Sequence, residues 1–139
     1  MKVDLGIFAH DEGARIAAMV AGVLSQRHDL DLRVLVLANG CRDNTAAEAR
    51  AAGAEVAELD AGGKSRTWNR FVHDLSRPEA AVLIFADADI TLTQPLRQDD
   101  LRRLLFQVLR GETLSDPAAE EVREAAQSLL RLPVPVVFA

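Results

Sequence analysis

The fold is decided by the stretch Ala80-Ala81-Val82-Leu83-Ile84-Phe85-Ala86-Asp87-Ala88-Asp89-Ile90-Thr91-Leu92. An unbroken apolar run from Ala80 to Ala86 stops there at two carboxylates. A short aliphatic run of this kind, following Pro78, is typical of a strand that is buried on both faces. Such strands belong to parallel sheets covered by helices, and these sheets bind ligands at the carboxyl ends of their strands. The sequence therefore predicts an α/β protein with a ligand site near Asp87 and Asp89.

The spacing of Asp87 and Asp89 suggests a metal site. Side chains two residues apart in an extended chain point the same way, which would bring the two carboxylates together and turn Ala88 away. Two adjacent anions repel unless a cation lies between them. Mg²⁺ and Mn²⁺ prefer carboxylate oxygens and share their remaining positions with water or phosphate. The pattern indicates a divalent metal site for a phosphorylated ligand, and two solvated turn residues are the alternative.

Length and composition indicate one globular domain. A chain of 139 residues is long enough for one core and too short for two. The net charge of −5 argues against a nucleic-acid partner held by a basic surface. The single cysteine, Cys41, excludes an internal disulfide and fits a reducing compartment, so we expect a cytoplasmic protein. We expect neither a membrane span nor a signal peptide, because no apolar segment of the required length or position occurs.

Hydrophobic periodicity predicts that strands and helices alternate along the chain. Apolar runs predict further strands at residues 3–9, 32–38, 55–59 and 134–138. Helical spacing predicts a helix after each of the first three strands and two more near residues 101–109 and 116–130. The resulting order, β-α-β-α-β-α-β-α-α-β, argues for a mostly parallel sheet flanked by helices, with right-handed crossovers.

Turn and cap residues predict where these elements begin and end. Asp11 is a candidate N-cap of the first helix, which we expect to end near Arg27. Thr45 opens a capping box, so the second helix should begin there, and Gly53 should end it. Pro135 confines the last strand to an edge of the sheet.

Loops that follow parallel strands lie along one edge, so several polar segments should converge. Two of them are His10-Asp11-Glu12 and Asn39-Gly40-Cys41-Arg42-Asp43. The glycines in Gly62-Gly63-Lys64 let a backbone approach a phosphate, and the lysine would neutralise charge on a leaving group. Simpler interpretations are a tight turn at the glycines, a solvated Lys64, a common Asn-Gly turn and a core position for Trp68. His10 has no partner at metal-ligand spacing, which argues against zinc.

Taken together, residues 3–92 resemble the nucleotide-binding half of a family 2 glycosyltransferase, with a Rossmann-like fold of the GT-A type. Ala9-His10-Asp11-Glu12 stands where that family often has an aromatic-Asn-Glu sequence. The segment from Leu35 to Thr45 resembles its Asp-Asp-Gly-Ser-x-Asp-x-Thr loop, and Gly63-Lys64-Ser65-Arg66-Thr67-Trp68-Asn69 resembles its Gly-Lys-x-x-x-x-Asn segment. Asp87-Ala88-Asp89 matches its Asp-x-Asp motif.

The resemblance implies transfer of a sugar from a nucleoside-diphosphate sugar with Mg²⁺ or Mn²⁺ as cofactor. It implies that Asp89 coordinates the metal on the diphosphate and that Asp87 contacts the ribose or the metal shell. It further implies that Asp43 caps a helix. It implies that the nucleotide-binding residues come from the remaining motifs, with Ala9, Glu12 and Asn39 lining the nucleoside pocket and Lys64 lying near it.

Two departures from the family leave alternatives open. Asn39 follows Ala38 where many members carry an Asp that reads the base, and an amide both donates and accepts hydrogen bonds. No counterpart of the carboxylate that serves inverting members as general base follows Leu92. A non-catalytic or truncated nucleotide-binding or interaction module is therefore the second hypothesis. A nucleotidyltransferase of related fold is the third, although His10-Asp11-Glu12-Gly13 is a poor match to its glycine-rich loop.

We expect one domain with two parts. Residues 1–92 form the nucleotide-sugar-binding half, and residues 93–139 form a helical C-terminal segment with a short last strand. An unfinished sheet leaves an edge or an apolar face to be covered, so we expect a homo-oligomer formed through this segment.

Overall fold

The secondary structure comes from a computed structural model, which describes residues 2–25, 30–60 and 62–90 and the backbone of residues 136–138. The predicted helices near 101–109 and 116–130, the end of the first helix near Arg27 and the predicted oligomer surface of the C-terminal segment lie outside the described residues. The elements are β1 (Lys2–Ala9), α1 (Ile16–Ser25), β2 (Asp31–Asn39), α2 (Thr45–Ala51), β3 (Glu55–Leu59), α3 (Lys64–Arg70), a π-helical segment (Phe71–Leu75), β4 (Val82–Asp87) and β5 (Val136–Phe138).

All described strands form one sheet in the order β3-β2-β1-β4-β5, and every neighbouring pair is parallel. The chain moves outward from β1 to β3 and then returns to β4 on the other side of β1. Doubly wound sheets bind ligands at such a reversal, at the carboxyl ends of the strands. The predicted α/β fold is confirmed. Among the described residues β5 is an edge strand of the sheet, as the presence of Pro135 in the predicted strand indicated.

Helices cover both faces of the sheet because side chains alternate along each strand. One face packs Leu5, Val36 and Ile84 against Ile16 and Val20 of α1. The opposite face packs Leu37, Leu83 and Phe85 against Phe71, with Trp68 stacked on Phe85 at a ring-centroid distance of 5.5 Å. The prediction that β4 is buried on both faces and that Trp68 belongs to the core is therefore confirmed.

Gly6 of β1 leaves the space that the Phe71 ring occupies. A Cβ at Gly6 would lie 2.9 Å from the nearest ring carbon of the fully buried Phe71. We expect Gly6→Ala to lower the free energy of unfolding by about 1–3 kcal/mol, because overpacking forces the ring or the strand to move. Gly22→Ala in α1 is the control, since its Cβ would meet nothing within 4 Å and we expect it to raise stability by ~0.5–1 kcal/mol. Urea unfolding measures both changes, and an equal effect of the two would contradict this account.

Two of the predicted helix caps are wrong. Asp11 does not cap α1, which begins at Ile16, and its backbone is left-handed with a φ of 51°. Thr45 is the first residue of α2 as predicted, but the capping box does not form, because the Thr45 hydroxyl oxygen accepts the Glu12 N–H and the Glu48 N–H donates to the Asn44 carbonyl. Asp43 caps the helix, as the resemblance implied, by accepting the Thr45 N–H at 2.9 Å. Gly53 ends the helix as predicted, with a φ of 98°.

None of the described helices is both long and apolar enough to cross a bilayer.

Candidate functional site

Two loops at the carboxyl edge of the sheet are joined by reciprocal hydrogen bonds. Asp11, in the loop after β1, accepts the Arg42 N–H at 2.7 Å, and Asp43, in the loop after β2, accepts the Gly13 N–H at 2.9 Å. The Glu12 N–H donates to Oγ1 of the buried Thr45 at 2.9 Å. Side chains of each loop therefore accept hydrogen bonds from backbone N–H groups of the other loop, which fixes the ends of β1 and β2 relative to each other.

Asp11, Cys41 and Asp43 bring their side-chain ligand atoms within 4.8 Å of one another, a spacing that a metal ion could use. All three groups already have hydrogen-bond partners. Cys41 Sγ donates to the Ala9 carbonyl at 3.3 Å and accepts the Asp11 N–H at 3.4 Å, while both carboxylates accept backbone N–H groups. We therefore interpret this cluster as the connection between the two loops.

Hydrogen bonds to Asp43 should make this connection sensitive to acid. The Thr45 hydroxyl, followed by the backbone N–H groups of Gly13 and Thr45, holds the pKa of the Asp43 carboxyl below its ordinary value. A lowered folded-state pKa contributes stability above the unfolded value of about 3.9 and loses it as the pH falls through the folded value. We expect Asp43→Asn to lower the melting temperature at pH 7, and the difference from wild type to shrink below about pH 4. Thermal unfolding at several pH values measures this, and a difference that stays constant with pH would contradict it.

His10 lies in one of the loop segments that the sequence predicted to converge, but no nucleotide or metal role was predicted for its side chain. Its Nδ1 lies 2.7 Å from the carbonyl oxygen of Asn39. A carbonyl only accepts hydrogen bonds, so Nδ1 carries a proton and Nε2 remains for other contacts. Nε2 lies 3.8 Å from Asp11 Oδ2. The imidazole lies between two cavities and lines both of them.

The first cavity, of about 530 Å³, lies at the carboxyl ends of β1, β2 and β4, where the sheet order reverses. Its lining includes every residue for which the sequence predicted a nucleotide or metal role. These residues are Ala9, Glu12, Asn39, Lys64, Asp87 and Asp89. Residues from four separate motifs thus meet in one space, which we call the inner cavity.

Asn39 brings an unsatisfied acceptor to the inner cavity. Its side-chain Oδ1 is buried and has no hydrogen-bond partner among the described residues. A buried acceptor without a partner costs free energy, of the order of 1–3 kcal/mol. A ligand that donates an N–H to this atom would recover that cost.

Asp87 and Asp89 both line the inner cavity, although not for the reason that the sequence suggested. The strand ends at Asp87, and the chain turns at Ala88 and Asp89, with an Ile90 N–H to Asp87 carbonyl bond of 3.3 Å. Asp89 therefore lies beyond the strand, where side-chain alternation no longer sets its direction. Ala88 is buried. Asp87 Oδ2 lies 2.8 Å from Lys64 Nζ, whereas Asp89 makes no ion pair with any described residue.

A second cavity of about 650 Å³ lies beside the first, at the ends of β2 and β3, and we call it the outer cavity. Arg42, Glu58 and Asp60 give it a charged lining, and Glu58 pairs with Arg50 at 2.5 Å. Apart from His10 and Gly62, its lining is distinct from that of the inner cavity. The sequence did not predict it.

The doubly wound parallel sheet, with its cavity at the topological switch point, is a Rossmann-like fold of the GT-A type. A solved structure with this fold is that of glucosyl-3-phosphoglycerate synthase from Mycobacterium tuberculosis, in complex with Mn²⁺, UDP-glucose and phosphoglyceric acid. The two chains superpose with a TM-score of 0.58 at 20% sequence identity.

The match covers 96% of this chain and 53% of the synthase, so the chain spans about half of that protein's length. No family model and no curated protein matches the sequence. Likeness at this level of identity shows the fold alone, and membership of family 2 stays a prediction.

Proposed function

We propose that this chain is the nucleotide-sugar-binding domain of a metal-dependent glycosyltransferase, with a nucleoside-diphosphate sugar as its donor substrate. The observation that carries the proposal is that Ala9, Glu12, Asn39, Lys64 and the Asp87/Asp89 pair, from separate motifs, line one cavity. The fold shared with a synthase solved with Mn²⁺ and UDP-glucose supports it.

The residues of the inner cavity fit a divalent cation. The Lys64 ammonium lies against the Asp87 carboxylate, so this position already accommodates positive charge. Asp87 and Asp89 offer the hard oxygen ligands that Mg²⁺ and Mn²⁺ prefer, and they would hold the ion. When bound, the ion supplies positive charge that offsets the charge developing on the diphosphate leaving group.

Asn39 fits the recognition of a nucleobase. Its buried Oδ1 needs a donor, and the ring N–H of uracil or guanine is one. We expect Asn39→Leu to weaken nucleotide binding roughly tenfold, because the hydrogen bond is lost. The same change should leave the melting temperature equal or higher, because it removes an unsatisfied buried atom. Titration with UDP and GDP, together with thermal unfolding, tests this pair of effects. A loss of stability without a loss of binding would contradict it.

Release of UDP from UDP-glucose, with the glucosyl group passing to water when no acceptor is present, tests whether the domain cleaves the donor. We expect release that requires Mn²⁺ and is lost in Asp89→Ala. A nucleotide-sugar-binding domain without transfer activity is the second candidate function, because no counterpart of the general base used by inverting glycosyltransferases is identified in this sequence. Binding of UDP-glucose without any release would support the second candidate, and failure to bind would contradict both.

A further inference from the structure

The ion pair between Lys64 and Asp87 forms part of the lining of the inner cavity. Lys64 Nζ lies 2.8 Å from Asp87 Oδ2, and the two side chains are 70% and 48% exposed. Lys64 is the first residue of α3 and follows Gly62 and Gly63. A Cβ on either glycine would meet nothing within 4 Å, so the preceding loop lies in open space. The contact with Asp87 is therefore held by charge rather than by packing.

The charges around this pair do not suit a diphosphate. Glu12, Asp87 and Asp89 bring negative charge to the lining, and the positive charge of Lys64 is directed at one of them. An incoming diphosphate would be repelled by Asp89 and would find Lys64 already paired. The single positive charge of Lys64 cannot neutralise both Asp87 and a phosphate, so a change of partners would resolve the conflict.

We propose that Lys64 exchanges partners when the inner cavity fills. Lys64 neutralises Asp87 until a divalent cation takes that place, and its amine then turns to the diphosphate. This inference rests on the proposed function and adds the order in which Lys64, the cation and the diphosphate change partners. Lysine and cation compete for Asp87, whereas cation and nucleotide favour each other, and this coupling must be reciprocal.

Lys64→Met tests the two parts of the exchange separately: the competition of Lys64 with the cation for Asp87, and the contact of Lys64 with the diphosphate. Mn²⁺ alone, measured by electron paramagnetic resonance, should bind about two- to fivefold more tightly, because an exposed competing ion pair is lost. UDP or GDP at saturating Mn²⁺ should bind roughly tenfold more weakly, because a charged hydrogen bond to the diphosphate is lost. A residue with a merely structural role would not shift the two affinities in opposite directions.

Arg66→Met is the matched control, since it removes one positive charge from an exposed position on the same helix. A general field effect would change Mn²⁺ affinity equally in both variants, and this result would overturn the inference. Weaker Mn²⁺ binding by Lys64→Met, or unchanged nucleotide binding, would overturn it as well. If the wild type binds both Mn²⁺ and a nucleotide, these results leave the proposed function standing. If the wild type binds neither, both fall.

Discussion

Asp4→Asn is expected to lower the free energy of unfolding by about 3 kcal/mol, because it removes the anion between two arginines. Asp4 is fully buried in β1, and its Oδ1 accepts Arg77 Nε at 2.6 Å. Its Oδ2 accepts the Arg77 backbone N–H at 2.7 Å and lies 3.4 Å from Arg33 Nη1. The loss falls at the lower end of the range for a broken buried pair because Arg33 and Arg77 keep 22% and 20% of their side-chain surface exposed.

The arginines make Asp4 the centre of a network that joins distant parts of the fold. Arg77 also donates to the carbonyls of Val3 at 2.9 Å and Asp31 at 3.0 Å, and Arg33 donates to the Leu75 carbonyl at 2.8 Å. Through these bonds, the segment that follows α3 is attached to β1 and β2 at the edge of the sheet opposite the cavities.

Asp31→Asn is the control for this prediction. Asp31 contacts Arg77 Nη1 at 3.1 Å, but its side chain is 55% exposed. We expect it to change stability by less than about 1 kcal/mol, as is usual for surface ion pairs. Urea unfolding measures both variants, and a similarly small effect of Asp4→Asn would contradict the role given to the buried carboxylate.

Asp89→Ala should have the largest effect on ligand binding. Asp89 lines the inner cavity and makes no ion pair with any described residue, so its charge is available to a cation. Losing one charged ligand should weaken Mn²⁺-dependent nucleotide binding roughly a hundredfold or more. Binding in the presence of a chelator should not weaken, because the carboxylate supports nucleotide binding only through the metal and otherwise repels the diphosphate.

Asp60→Ala is the matched control, since Asp60 is an exposed carboxylate that lines only the outer cavity. It removes the same charge from the same edge of the sheet, and we expect it to leave Mn²⁺-dependent binding within about twofold of the wild type. Calorimetric titration with UDP and Mn²⁺ compares the two variants. Equal losses would indicate that Asp89 acts through overall charge rather than as a ligand.

The strands and helices could be predicted because they depend on neighbouring residues. The apolar run before Asp87 and the helical spacing from Ile16 to Val23 each define an element without reference to the rest of the chain. Gly53 similarly marks a helix end through its own backbone preference. The motifs also identified residues that meet in the inner cavity, because loops after parallel strands must share one edge.

Contacts between distant residues were the part that the sequence could not predict. Asp11 looked like a local cap, yet it binds the backbone of Arg42, which lies 31 residues later. Asp4 appeared only as one charge in an apolar strand, and its partner Arg77 lies 73 residues away. His10 and the outer cavity depend on the same long-range packing of loops. No local sequence pattern specifies which distant residues come into contact.

Thermal unfolding with UDP and with GDP, each in Mn²⁺ and in chelator, tests the donor site most directly. A ligand at about 100 times its dissociation constant stabilises the folded state by about 2.7 kcal/mol, which raises the melting temperature by a few degrees. We predict such a rise with at least one nucleotide in Mn²⁺ and none in chelator. No rise with either nucleotide in Mn²⁺ would contradict the assignment of the inner cavity as a metal-dependent nucleotide site.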